Sequence, residues 1–193
     1  IMDIATYPLL FRALTYWVFR FGYLRRASWA VGRFDFDSNA QLVDSIPSTY
    51  LRRLSDAQAT VILSALNRID GETSERIDAA RIYHEALAAL PGLQLPPWRS
   101  DRSHIYQYFA VQCADRDALV DEMMREGRDV ALSHHRNCAD LPCFDAYYSD
   151  CPNARRVAGE LIYLPTYPGY GSAEICKNIT LVRRFLQADD AAS

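Results

Sequence analysis

From Ser55 onward the chain returns an apolar side chain every three or four positions. Leu54, Ala57, Val61, Ala65, Leu66 and Ile69 are followed by Ile77, Ala80, Tyr83, Leu87 and Leu90. That period marks one face of an α-helix. Ser55 with Gln58 three residues on is a capping-box start, and Pro91-Gly92 is a stop. Gly71 is the expected kink. The stretch predicts two helices that form one long, bent rod, and a rod striped in this way needs another layer to cover it.

The rest of the chain supplies candidates for that layer. His104–Gln112 is dense in aromatic and β-branched residues and reads as a strand. Asp115 opens a helix running to Glu126, with Leu119 and Met123 inward and Gly127 as its stop. A short strand, 128–133, places Val130 and Leu132 on one face, and residues 134–151 have no period and read as a loop. Pro152 starts a further helix whose buried face is Ala154, Val157, Ala158 and Leu161. Residues 164–169 form a rigid turn. Ser172 opens a last amphipathic helix with Ile175, Ile179, Val182 and Leu186 inward. Few strands separated by helices give an α+β class, a small sheet with helices packed on one face.

With 193 residues, half of them hydrophobic, the chain can bury a sizeable core. A net charge of -3 argues against a general nucleic-acid binder. Of 21 basic residues only Lys177 is a lysine, so any chemistry that needs a reactive amine has a single candidate. Five cysteines without a regular framework favour reduced thiols and a cytoplasmic location, and no secretory signal opens the chain. Residues 1–34 are aromatic and Arg-rich. Within them, residues 7–31 are interrupted by Arg12, Arg20, Arg25 and Arg26 and fall short of the roughly 18 apolar residues a spanning helix needs. Two readings stay open for this segment: a basic amphipathic element on a membrane surface, or a helical piece packed on a partner or a missing domain. The chain opens at Ile1 rather than an initiator Met and reads as a fragment.

Chemistry-bearing clusters are sparse. His134, His135, Cys138, Cys143 and Cys151 are zinc-type ligands, but their spacing is irregular and no CxxC pair anchors them, so no metal site is assigned. A Cys/His nucleophile using Cys138 or Cys143 with His135 lacks any visible third group. The eight glycines form neither a dinucleotide fingerprint nor a P-loop. Asn178-Ile179-Thr180 matches a glycosylation triplet but falls in mid-helix. Arg52-Arg53, just before the capped helix, suits a phosphate or carboxylate, with a solvated surface pair as the alternative.

In order along the chain, these segments resemble the DegT/DnrJ-type sugar aminotransferases. Residues 50–59 (YLRRLSDAQA) and 66–70 (LNRID) resemble the family's YNYRMTDIQAA…QLERLD segment. His104–Phe109 is similar to the strand that opens its small domain, and Asp115–Leu119 to its RDAL helix. Ser133-His134-His135 falls where the family often has a His-Tyr pair. Residues 151–154 (CPNA) and 161–168 (LIYLPTYP) resemble its ending, CPNAE…LSLPLYP. The match covers residues 47 to 187.

The resemblance implies a pyridoxal-phosphate enzyme of the aspartate-aminotransferase fold (fold type I), a homodimer that moves an amino group from glutamate onto a nucleotide-linked keto-sugar. It divides the chain into a helical insertion and linker at 1–46, a connecting helix region at 47–92 and a small C-terminal domain at 93–193. The large domain, with the Schiff-base lysine, would precede this chain. It implies Arg53 at the cofactor and Tyr50, His134 and His135 at the substrate. The motif asparagine that reaches the other subunit's cofactor phosphate is replaced by Leu51, and Lys177 does not match the lysine motif. The alternative is a non-catalytic partner or regulatory module that retains the small-domain fold.

Overall fold

The computed structural model describes residues 11–25, 43, 45–132 and 136–190. A π-helical turn, Phe11–Thr15, leads into α1 (Tyr16–Leu24). A 3-10 turn at Ser48–Leu51 precedes α2 (Asp56–Leu66) and α3 (Ile69–Leu87). Strands β1 (Leu93–Gln94) and β2 (Phe109–Cys113) follow, then α4 (Arg116–Arg125) and β3 (Ala131–Leu132). Two 3-10 segments, Cys138–Asp140 and Pro142–Tyr147, lead to α5 (Pro152–Glu160), β4 (Leu161–Leu164) and α6 (Ser172–Asp190).

The strands form one sheet in the order β1-β2-β4-β3, each neighbour antiparallel. The β2–β4 register sets Phe109 opposite Leu164 and Val111 opposite Ile162. These four side chains are fully buried, and α3, α4 and α6 cover them. Ile77, Ala80, Tyr83 and Leu87 supply the buried stripe of α3, Leu119 and Met123 that of α4, and Ile175, Ile179, Val182 and Leu186 that of α6. The Tyr83 ring stacks on Phe109 with centroids 5.3 Å apart. Asn178, inside this layer, donates through Nδ2 to the hydroxyls of Tyr83 (2.9 Å) and Tyr170 (3.0 Å). The side chain of the glycosylation-like triplet therefore faces the core rather than solvent.

Four expectations change. The strand predicted from His104 begins only at Phe109, because Tyr106 sits at φ 47 and cannot extend the ladder. Its buried ring stacks on Trp98, and its hydroxyl accepts from the Arg99 N–H and donates to the Pro97 carbonyl. Residues 161–164, read as the end of a helix and the start of a turn, form the interior strand β4. The helix before it, α5, buries no residue; Ala154 is exposed, and Val157 and Ala158 are half-buried. The helical rod breaks at Asn67-Arg68 rather than at Gly71. Asp70 and Glu72 at the start of α3 and the Ser55–Gln58 box at the start of α2 define two separate helices, each with its own N-terminus.

The largest departure is on α2. Val61, Ile62, Leu63 and Leu66 are all exposed, and with them Leu54 and Ile69, so the predicted stripe exists but nothing in the described chain covers it. Among the described residues no helix is long and apolar enough to cross a membrane.

The difference between the two kinds of stripe can be measured. Leu119→Ala should cost about 2–5 kcal/mol in urea unfolding of the 193-residue chain. Val61→Ser should change it by less than about 0.5 kcal/mol.

Candidate functional site

The segment before α2 is fixed at both ends. The Tyr50 N–H closes the 3-10 turn onto the Pro47 carbonyl at 2.9 Å. At the other end the Ser55 N–H donates to Gln58 Oε1 at 2.9 Å, and Ser55 Oγ accepts from the Gln58 N–H at 3.3 Å. Between these anchors, Arg52 is extended and Arg53 is exposed. Among the described residues Arg53 forms no ion pair, so its guanidinium can take a phosphate or carboxylate from outside the chain. Tyr50 is 78% exposed on the same segment, and Leu51 is exposed beside it. The structure thus brings Tyr50 and Arg53 together on one short segment, next to the uncovered apolar face of α2. His134 and His135 lie outside the described residues.

The loop that follows the two histidines is held by α5. Arg155 donates to both carboxylate oxygens of Asp140 (2.6 and 2.9 Å) and to Asp150 (3.2 Å). This pairing holds the Asp140 carboxyl below the usual range. Cys138 in this loop is exposed, Cys143 and Cys151 are half-buried, and no disulfide joins any of the five cysteines. Among the described residues, no group of three His, Cys, Asp or Glu is placed to hold a metal.

A second polar constellation was not visible in the sequence. A cavity of about 220 Å³ between α1 and the start of α6 is lined by Tyr16, Trp17, Arg128, Asp129, Tyr170 and Glu174, among others. Arg128 pairs with Glu174 at 2.5 Å, and the Tyr167 hydroxyl donates to Asp129 at 2.9 Å. Burial pushes the Asp129 carboxyl above its ordinary value, against the pull of the Tyr167 hydrogen bond and of Arg128. Burial also raises Tyr170 to about 12. Arg128-Asp129 looks like an ordinary polar dipeptide after a helix stop. Its partners lie 38 and 46 residues further on, so no local pattern announces it. The only lysine is drawn in from the other side, with Lys177 Nζ donating to Glu174 at 2.8 Å while its side chain stays exposed.

Known proteins share this architecture. The crystal structure of DesV from S. venezuelae in complex with a ketimine intermediate superposes with a TM-score of 0.64 and 28% identity over 69% of this chain and 37% of that one. A DegT/DnrJ/EryC1/StrS aminotransferase from Brucella abortus, 20% identical, shows the same fold with a TM-score of 0.60 over 83% of this chain and 44% of its own. Both are sugar-aminotransferase-type structures of fold type I, of which this chain matches a part. The profile of the DegT/DnrJ/EryC1/StrS aminotransferase family matches residues 30–183, and the chain belongs to that family.

Among curated proteins, dTDP-3-amino-3,4,6-trideoxy-alpha-D-glucose transaminase of Micromonospora megalomicea subsp. nigra is 27% identical over 124 residues, 60% of this chain and 33% of its own. UDP-N-acetyl-3-dehydro-alpha-D-glucosamine 3-aminotransferase of Acidithiobacillus ferrooxidans is 28% identical over 138 residues, 71% of this chain and 37% of its own. The chain spans about a third of the length of these relatives.

The family implies pyridoxal phosphate, and the residues present fit only part of it. Arg53 suits an anionic group. Lys177, exposed on α6 and engaged by Glu174, does not suit the aldehyde.

Asp129 offers a direct check on the second constellation. Its raised value means that the folded chain keeps a proton over a pH window in which the unfolded chain has lost it. Stability should therefore fall as pH rises from the usual carboxylate value through the folded one. Asp129→Asn, which retains an acceptor for Tyr167, should remove that fall in thermal melts recorded against pH.

Proposed function

We propose that these 193 residues are the C-terminal part of a pyridoxal-phosphate-dependent nucleotide-sugar aminotransferase. The whole protein moves an amino group from glutamate onto a nucleotide-linked keto-sugar, and this part is inactive alone. The observation that carries the reading is the bare face of α2, which lies inside the family-matched region and carries four large apolar side chains, flanked by Leu54 and Ile69, that nothing among the described residues covers. Exposed apolar area of that extent on a folded chain marks an interaction surface.

In this reading residues 1–46 are an insertion and linker, 47–92 connect the domains, and 93–193 form the small domain. The Schiff-base lysine comes from a large domain that packs on α2. The protein is a cytoplasmic homodimer. Pyridoxal phosphate supplies the electron sink for the transfer, and this chain supplies recognition. Arg53 holds an anionic group of the cofactor or substrate, and Tyr50, His134 and His135 meet the sugar nucleotide. The fixed 3-10 turn and capping box hold Tyr50 and Arg53 in place before ligand arrives, which lowers the ordering cost of binding.

A second reading has one observation in its favour: the sole lysine is engaged by Glu174, as expected of a non-catalytic partner subunit. The nucleotide sequence upstream of Ile1 separates the two. An in-frame segment that encodes a lysine motif supports the enzyme, and a start codon directly before Ile1 supports the partner.

With pyridoxal phosphate, the 193-residue chain should develop no stoichiometric absorbance band near ~420 nm. A band that disappears in Lys177→Ala overturns the assignment of the reactive amine to the missing domain. In the full-length enzyme, Arg53→Ala should weaken binding of the cofactor or of the sugar nucleotide by about tenfold or more, as expected for a lost charge-assisted hydrogen bond. Unchanged titrations for both ligands remove Arg53 from the site.

A further inference from the structure

Helix α1 precedes the family-matched region and is fastened to the small domain by its inner side. Arg20 donates to the carbonyls of Met124 and Arg125, the last two residues of α4, and the Tyr23 hydroxyl donates to Asp121 at 3.2 Å. Tyr16 and Tyr23 are buried there. Nothing among the described residues covers the opposite side. Leu14, Trp17, Val18, Phe21 and Leu24 recur at helical spacing and form one outward stripe, with Trp17 50%, Val18 52% and Phe21 56% exposed. Arg25 lies at the end of this stripe, its guanidinium 4.4 Å over the Phe21 ring, and Arg20 flanks it, 5.3 Å over Trp17.

Charge selects the occupant. Residues 4–34 hold five of the 21 basic residues and none of the 24 acidic ones, in a chain whose net charge is negative. Two such segments repel each other, which disfavours a second copy on this face. A surface helix whose outward aromatic and aliphatic side chains lie beside arginines has the composition of an element that lies in a lipid–water interface. We propose that the outward face of α1 docks the protein on an anionic lipid surface, with Val18 and Phe21 entering the acyl boundary and Arg25 meeting the headgroups. The helix lies on the membrane and does not span it.

The test is co-sedimentation of the 193-residue chain with vesicles of phosphatidylglycerol and phosphatidylcholine, and with phosphatidylcholine alone. Binding should require the anionic lipid and weaken as salt is raised. Both residues of the pair V18S/F21S are exposed, so the double variant should keep its far-UV spectrum and melting temperature while its binding falls at least about tenfold. Arg25→Gln should lose about fivefold. A control pair on the other bare face, V61S/I62S, should bind like the unsubstituted chain. The proposal is overturned if the chain ignores anionic vesicles, if V18S/F21S binds undiminished, or if the control pair abolishes binding. Self-association that V18S/F21S abolishes also overturns it and assigns the face to a second copy.

Discussion

The pairing of β2 with β4 is the contact on which the rest of the structure depends. It joins residues about fifty positions apart and puts Phe109, Val111, Ile162 and Leu164 on one face, in one core cluster with α3, α4 and α6. A slip of one residue would turn those side chains to the opposite face and replace them with Ala110, Gln112 and Tyr163. Both flanks guard against that slip. Before β2, the left-handed Tyr106 ends the loop at a fixed point. After β4, buried Thr166 Oγ1 donates to the Tyr106 and Gln107 carbonyls at 2.7 and 2.9 Å and closes the two strands at the same end.

Above this layer the polar interior is sparse and interlocked. Asn178 ties α6 to Tyr83 of α3 and to Tyr170 of the turn before α6, so one amide fixes three segments. Its Nδ2 is matched by both hydroxyls while its buried Oδ1 finds no partner among the described residues, so the trio favours the packing that keeps both Nδ2 bonds. The exterior is less settled. The bare face of α1 lies on a helix held by carbonyl contacts and by its buried Tyr16 and Tyr23, and that of α2 on a helix that buries no residue. Two separate apolar faces mark surfaces for assembly, and the large domain of the proposed reading would cover the one on α2.

Legibility followed the range of the interactions. The helices with a local period and local punctuation were readable: α3 with its buried Ile77, Ala80, Tyr83 and Leu87, α4 with its Gly127 stop, and α6 with Ile175, Ile179, Val182 and Leu186. The stripe on α2 was equally readable, but a stripe says only that something covers it, not whether that body lies within the same chain. Strand β4 was missed because its four residues follow α5 without a break, and its identity comes from neighbours in β2 and β3. The extra residues assigned to the start of β2 failed because Tyr106, a good strand former, is recruited by Pro97, Trp98 and Arg99 into a turn. For the proposed site, the family resemblance pointed to Tyr50 and Arg53, which lie between a 3-10 turn and a capping box. Arg128, Asp129 and Glu174 carried no signal, since an ion pair across 46 residues leaves no spacing to read.

The way α1 is attached has a consequence for divergence. Arg20 grips α4 through the carbonyls of Met124 and Arg125, and a carbonyl is the same whatever side chain its residue bears. The exposed surface of α4 can therefore drift in sequence without releasing α1. What cannot drift is length. The Met124 carbonyl already accepts the Gly127 N–H at 3.2 Å, and one more turn on α4 would engage the Arg125 carbonyl as well. A side chain at Gly127 would be strained by the left-handed φ of 68 that ends α4 there, with its Cβ in contact with the Trp17 ring. Helix α1 is thus tied to where α4 ends rather than to what α4 is made of.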